Sequence, residues 1–185
     1  MTCRLLRILS DLHYGDSTSR VHSLDTLRPL FAGADALVFN GDSVETRRTR
    51  HPERTAAQRA EFFAFLRRHA PPCTLLTGNH DPDISPRHYL DLADGQVFAT
   101  HGDILFDEIG PWGTDVLALR TLFQTELDAL PAEDRQRLDP RFSACKRASG
   151  RLPPPHDPHG TGFLHHARIF VEKAWPPRAF TLLRI

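Results

Sequence analysis

The sequence predicts an α/β fold. Three short apolar runs, at residues 4–10, 36–39 and 73–77, alternate with two stretches of helical spacing, and each run ends in a cluster of polar and charged residues. Hydrophobic residues make up 40% of the 185, with glycine left out of that figure, an ordinary level for a chain that buries a core. Disorder throughout, a collagen repeat and a disulfide-stapled miniprotein are excluded on that ground.

The first run, Arg4 to Ser10, reads as a buried strand feeding a loop. Residues 21–31 carry Val21, Leu24, Leu27, Leu30 and Phe31 at helical spacing, closed by Gly33. Residues 36–39 form a second buried strand, which delivers Asn40, Gly41 and Asp42. Residues 53–70 are rich in helix formers, with apolar positions at Ala56, Ala60, Phe63, Ala64 and Leu66, and stop before Pro71 and Pro72. The third strand, residues 73–77, ends in Gly78, Asn79, His80 and Asp81. Residues 89–92 and 97–100 then flank Asp94 and Gly95, a pair typical of a tight hairpin, so the sheet is expected to become mixed. That hairpin delivers His101, Gly102 and Asp103. Helices are expected at 114–130 and 132–138, an irregular proline-rich loop at 149–161, and one more helix at 163–174 before a terminal apolar hexamer at 180–185. The expected organisation is a core at 1–110, a helical cap or insertion at 111–148 and a proline-rich C-terminal segment at 149–185. Trp112 and Trp175, each beside a proline, read as packing residues.

Lys+Arg 23 against Asp+Glu 23 leaves zero formal charge, so no global field draws the chain to nucleic acid or an anionic membrane. Cys3, Cys73 and Cys145 form no CxxC pair, which fits a reducing, cytoplasmic setting and argues against a zinc knuckle. No run approaches the roughly 18 apolar residues of a membrane span.

The polar residues at the strand ends carry the chemistry. Asp11, His13, Asp42, Asn79, His80 and His101 each follow a predicted strand, so a sheet gathers them at one edge although Asp11 and His101 are far apart in sequence. Carboxylates, imidazoles and an amide carbonyl suit Mn, Fe, Zn or Co rather than Ca. Asp11 and His13, two apart on an extended segment, share a face and can hold one ion together. Asp42 has two oxygens and can bridge two ions, while Asn79 and His101 hold the second; paired ions are a usual device for displacement at phosphorus. Arg47, Arg48, Arg50, His51 and Arg54 follow Asp42 closely and read either as a solvated loop or as a clamp for an anionic substrate.

Over roughly residues 3–107 these motifs resemble those of the calcineurin-like metallophosphoesterases: Asp11 to His13, Gly41 to Asp42, Gly78 to Asp81 and His101 to Gly102, in family order. The His-Gly-Asp form of the last also looks like the branch that includes the UDP-2,3-diacylglucosamine pyrophosphatases. The resemblance implies a mixed β-sandwich flanked by helices and two divalent ions, with Mn first and Fe, Zn or Co as alternatives. It implies a small phosphorylated substrate, a mono- or diester or a pyrophosphate, hydrolysed by a metal-bound hydroxide at a dinuclear centre. Carried over by position, Asp11 and His13 bind the first metal, Asp42 bridges, Asn79 and His101 bind the second, and His80 stabilises or protonates the leaving oxygen. Glu45 stands where an acidic residue orients that histidine, in place of the more familiar Asp, and Arg47 and Arg48 are the candidates for substrate binding.

The pattern departs from the family at its C-terminal side, where no Gly-His-x-His segment follows. His165 and His166 are adjacent, and His156 and His159 lie in the proline-rich stretch. The sequence is therefore expected to be C-terminally incomplete; ligation by one of these four histidines, or water in the vacant positions, are the alternatives. A catalytically weak or inactive descendant, serving as a metal-binding or protein-interaction module, is the rival functional class.

Overall fold

The computed structural model describes residues 5–46, 52–105 and 116–152, all within one compact unit, Met1–Pro154. Three strands, β1 (Leu6–Leu9), β2 (Ala36–Asn40) and β3 (Cys73–Leu76), form a parallel sheet in the order β1-β2-β3. The register runs from Leu6 opposite Ala36 to Leu9 opposite Phe39, and from Leu37 opposite Cys73 to Asn40 opposite Leu76. The central strand β2 buries Leu37, Val38 and Phe39 in succession, as a strand covered on both faces does. Leu37 and Phe39 face a cluster that includes Leu27, Phe31, Phe62 and Leu66, whereas Val38 joins Leu76 and Ala99 on the other side.

Both connections between these strands pack on the first face. Residues 21–31 depart from the expected continuous helix: a 3₁₀ turn, Leu24–Leu27, is followed by the four-residue α1 (Arg28–Phe31). Pro29 is the physical reason, since it lacks the N–H a longer helix would need there and is tolerated only at a helix start. Leu24, Leu27 and Phe31 are nevertheless buried. Helix α2 (Pro52–His69) buries Phe62 and Leu66, one turn apart, and ends in Arg67, Arg68 and His69, cations that suit the negative end of the helix dipole.

The hairpin β4 (Tyr89–Leu92) and β5 (Val97–Thr100) covers the second face. Two expectations need correction here. Its loop spans four residues, 93–96, with Ala93, Asp94 and Gly95 all at positive φ, rather than a two-residue turn. Among the described residues it also forms a sheet of its own instead of extending the parallel one. Side chains join the two: Leu90, Leu92 and Ala99 pack on Val38 and Leu76, and Asn40 Nδ2 donates to Thr100 O at 3.1 Å.

Helices α3 (Val116–Asp128) and α4 (Leu138–Arg151) pack against each other through Leu119, Phe123 and Leu127 on one side and Phe142, Cys145 and Ala148 on the other. Residues 132–137 are turns, not the expected helix, which begins at Leu138 and runs to Arg151 inside the stretch expected to be irregular. Pro140 sits in its first turn, where a missing N–H costs nothing. Glu126, buried on α3, is held by Arg147 at 2.6 Å and Arg151 at 2.7 Å, and these cations lower its pKa, the Arg147 hydrogen bond most. The pair reaches the core through Ile104 and the ring of His88, which stacks on Phe142. No described helix is long and apolar enough to cross a membrane.

Candidate metal centre

The loops after β1, β2, β3 and β5 converge at one end of the sheet. The first two run on in register beyond their strands: Asp11 N donates to Gly41 O at 3.2 Å, His13 N to Asp42 O at 2.8 Å and Tyr14 N to Ser43 O at 3.0 Å. Asp11, His13 and Asp42 all have positive φ, at 59°, 47° and 52°. Such strain in non-glycine residues collects where function demands a geometry. It also revises how the Asp11 and His13 pair works, because the segment is not extended; left-handed turns, not strand alternation, bring His13 Nε2 to 3.9 Å from Asp11 Oδ1.

Asp42 is the hub. Its Oδ2 lies 3.3 Å from His101 Nε2 and 3.7 Å from His13 Nε2, and it is nearly inaccessible to solvent. Two triads of donor atoms, each mutually within 4.8 Å, share it: His13, Asp42 and His80, and Asp11, Asp42 and His101. Asn79 Oδ1 stands 3.2 Å from His101 Nε2. The grouping differs from that implied by the family resemblance, in which Asp11 pairs with His13 and His80 is no ligand. His80 Nδ1 lies 2.5 Å from Glu45 Oε2, so the longer Glu reaches it, and the same carboxylate is 3.8 Å from His13 Nδ1.

Glycines make this proximity possible. A Cβ on Gly41, at φ +82°, would stand 2.5 Å from His101 Cγ; one on Gly78 would stand 2.2 Å from Asp42 Oδ1 and 2.5 Å from its backbone N. Asp81 is the residue to which sequence reasoning attached no role. Completely buried, it accepts the N–H groups of Asp42 and Gly78 on Oδ1, both at 2.9 Å, and of Ser43 at 2.7 Å and Val44 at 3.3 Å on Oδ2. The only signal of this in the sequence was an acidic residue directly after Asn79 and His80 at a buried strand end.

The electrostatics follow from crowding of carboxylates and imidazoles. Burial lowers the pKa of His101, but its contact with the Asp42 carboxylate wins and pushes it up to about 9. Burial raises that of Asp42, yet His101 and His80 hold it below the usual range. The Glu45 carboxylate 3.8 Å away, with the negative charge of Asp42, raises His13 against its own burial. Burial pushes Asp81 up to about 6, aided by the neighbouring Asp42 and opposed by the N–H groups it accepts. The site is thus an anionic framework that attracts positive charge, and its oxygen and imidazole donors fit a divalent transition ion.

The family model described as calcineurin-like phosphoesterase matches residues 6–166. The chain belongs to the calcineurin-like phosphoesterase family. No curated protein and no solved structure matches it. Members of this family are typically phosphoric ester hydrolases that use divalent metals, and both candidate ligand groups of this chain lie inside the matched range. Arg47, Arg48, Arg50 and His51, and the four C-terminal histidines His156, His159, His165 and His166, lie outside the described residues.

Proposed function

We propose that the protein is a phosphoesterase that hydrolyses a small phosphate mono- or diester or a pyrophosphate at a dinuclear centre. The observation that carries this reading is the sharing of one buried carboxylate, Asp42, by two groups of donors. Asp11 and His13 would hold one ion with Asp42, and Asn79 and His101 the other, with His156, His159, His165 and His166 as candidates to complete the sets. When bound, the ions, with Mn first and Fe, Zn or Co as alternatives, would supply Lewis-acid stabilisation of the phosphoryl oxygens and a nucleophile at neutral pH.

The chain's own groups do the rest. Glu45 engages Nδ1 of His80 and fixes that ring, leaving Nε2 to give a proton to the leaving oxygen. The backbone N–H of His80 binds Asp42 Oδ1 at 2.8 Å, so the proton donor and the shared carboxylate are held in one frame. Arg47 and Arg48 follow this frame in sequence and are the proposed phosphate clamp. The His101, Gly102 and Asp103 segment supports a kinship with the UDP-2,3-diacylglucosamine pyrophosphatase-like branch.

Metal analysis and turnover on one preparation test the reading. The full chain, loaded with Mn, Co, Ni, Zn or Mg, is expected to cleave bis-p-nitrophenyl phosphate or p-nitrophenyl phosphate and to lose activity on chelation. Bound metal without turnover would favour the non-catalytic module; failure to bind any of these metals would remove the site assignment itself.

A further inference from the structure

A cavity of about 310 Å³ opens beside the candidate centre. Asp11, His13 and His80 line it together with Asp16 and residues 18–21 of the following loop. If His80 serves the leaving oxygen, the group attached to that oxygen extends into this space. The cavity is at the small end of ligand sites, enough for one ring or one short polar group.

The loop is built before any ligand arrives. Asp16 Oδ1 accepts both the N–H and the hydroxyl of Thr18 at 2.6 Å, Ser19 Oγ donates to Leu12 O at 2.7 Å, and Val21 N donates to Ser19 Oγ at 2.9 Å. Arg20 sits between these anchors and lines the cavity. Arg7, Arg28 and Arg59, by contrast, are tied to Leu30 O, Asp25 and Asp83 O. Arg20 forms no ion pair with a described residue, and the nearby Asp16 carboxylate is turned to Thr18. The result is a cation on a fixed loop that lines the same cavity as His13 and His80.

We infer that Arg20 forms a subsite for an anionic substituent on the leaving group, so that the protein selects substrates whose departing part itself carries a phosphate or carboxylate. The inference rests on the phosphoesterase reading and deepens it. A guanidinium offers forked donors to either oxyanion, and the arms of the test separate the two.

Calorimetric binding of non-hydrolysable phosphonates to the Mn-loaded full chain decides the matter without relying on turnover. Phenylphosphonate is the neutral-group probe; 4-carboxyphenylphosphonate carries the carboxylate, and benzene-1,4-diphosphonate carries a second phosphonate that stands for the phosphate and cannot be cleaved. The wild type is expected to bind at least one anionic probe about fivefold more tightly than phenylphosphonate, the scale of one exposed ion pair. Arg20→Ala should erase that preference and Arg20→Lys should keep part of it. Equal affinities in the wild type, or a preference that survives Arg20→Ala, would overturn the subsite and leave the phosphoesterase reading standing. Failure of all three probes to bind would overturn both.

Discussion

The carboxylate of Asp81 holds the backbone of Asp42. It accepts the Asp42 N–H at 2.9 Å together with those of Gly78, Ser43 and Val44, while Asp42 Oδ1 accepts the His80 N–H at 2.8 Å. Two loops from adjacent strands are thereby clasped in both directions, and the left-handed conformation of Asp42 is held against its tendency to relax. Asp81→Asn turns an amide NH₂ toward donors that need an acceptor. We expect it to cost about 3 kcal/mol in urea unfolding, as removal of a buried charged acceptor does. A cost below about 1 kcal/mol, within the range of ordinary surface substitutions, would show that the clasp is not what holds these loops.

Gly78→Ala tests how tightly the hub is packed. The added Cβ meets Asp42 Oδ1 at 2.2 Å and its backbone N at 2.5 Å, and backbone cannot step aside cheaply. Metal affinity is expected to fall by about tenfold or more, equivalent to 1.4 kcal/mol, with the circular dichroism of the helices retained. Gly150→Ala provides the contrast: it has open space in the last turn of α4 and should be neutral or stabilising by up to about 1 kcal/mol. Unchanged metal affinity in Gly78→Ala would mean that Asp42 can shift without harm.

Much of this arrangement was legible in the sequence, for physical reasons that differ by element. The strands were readable because β2 and its neighbours are short apolar runs ending abruptly in polar residues, and α2 because its helix formers and the following Pro71 and Pro72 agree, although of its expected apolar positions only Leu66 is buried and Phe62 was not among them. The start of α4 was not, since Pro140 reads as a breaker unless one knows it falls in the first turn. For the site, residue types and their place after strands pointed to Asp11, His13, Asp42, Asn79, His80 and His101. Their detailed partnership was hidden, because it depends on left-handed backbone at Asp11, His13 and Asp42 that no periodicity encodes. The clasp of Asp81 was hidden likewise, because backbone N–H groups leave no mark on side-chain patterning.

The role of His80 separates turnover from metal content. In the reading above it donates a proton and is oriented by Glu45, so His80→Ala should lower turnover by about 10²- to 10⁴-fold while metal content stays near the parent's. Asp42→Asn should lose both together, because each candidate ligand group contains Asp42. Loss of metal from His80→Ala would instead place His80 among the ligands with His13 and Asp42, the alternative that their mutual proximity offers.

His88 supplies a pH dependence outside the centre. Its ring stacks on Phe142 with centroids 3.4 Å apart, and Nδ1 lies 3.0 Å from Thr77 Oγ1, so the contact joins α4 to the end of β3. Burial lowers its pKa below 6.5; Lys146 acts in the same direction and Asp139 opposes them. The sign follows from linkage: as pH drops below about 6.5 the unfolded chain takes up this proton before the folded one does, so folding is progressively disfavoured. The stabilising contribution is full above pH 6.5 and is lost as pH falls through the depressed folded value. We expect the urea midpoint of the wild type to fall between pH 7.5 and 5.5 relative to that of His88→Phe, which can keep the stack on Phe142 but cannot titrate. Groups elsewhere titrate alike in both proteins, so the difference between the two profiles isolates His88. Superimposable profiles would show that its proton has no hold on the docking of α4.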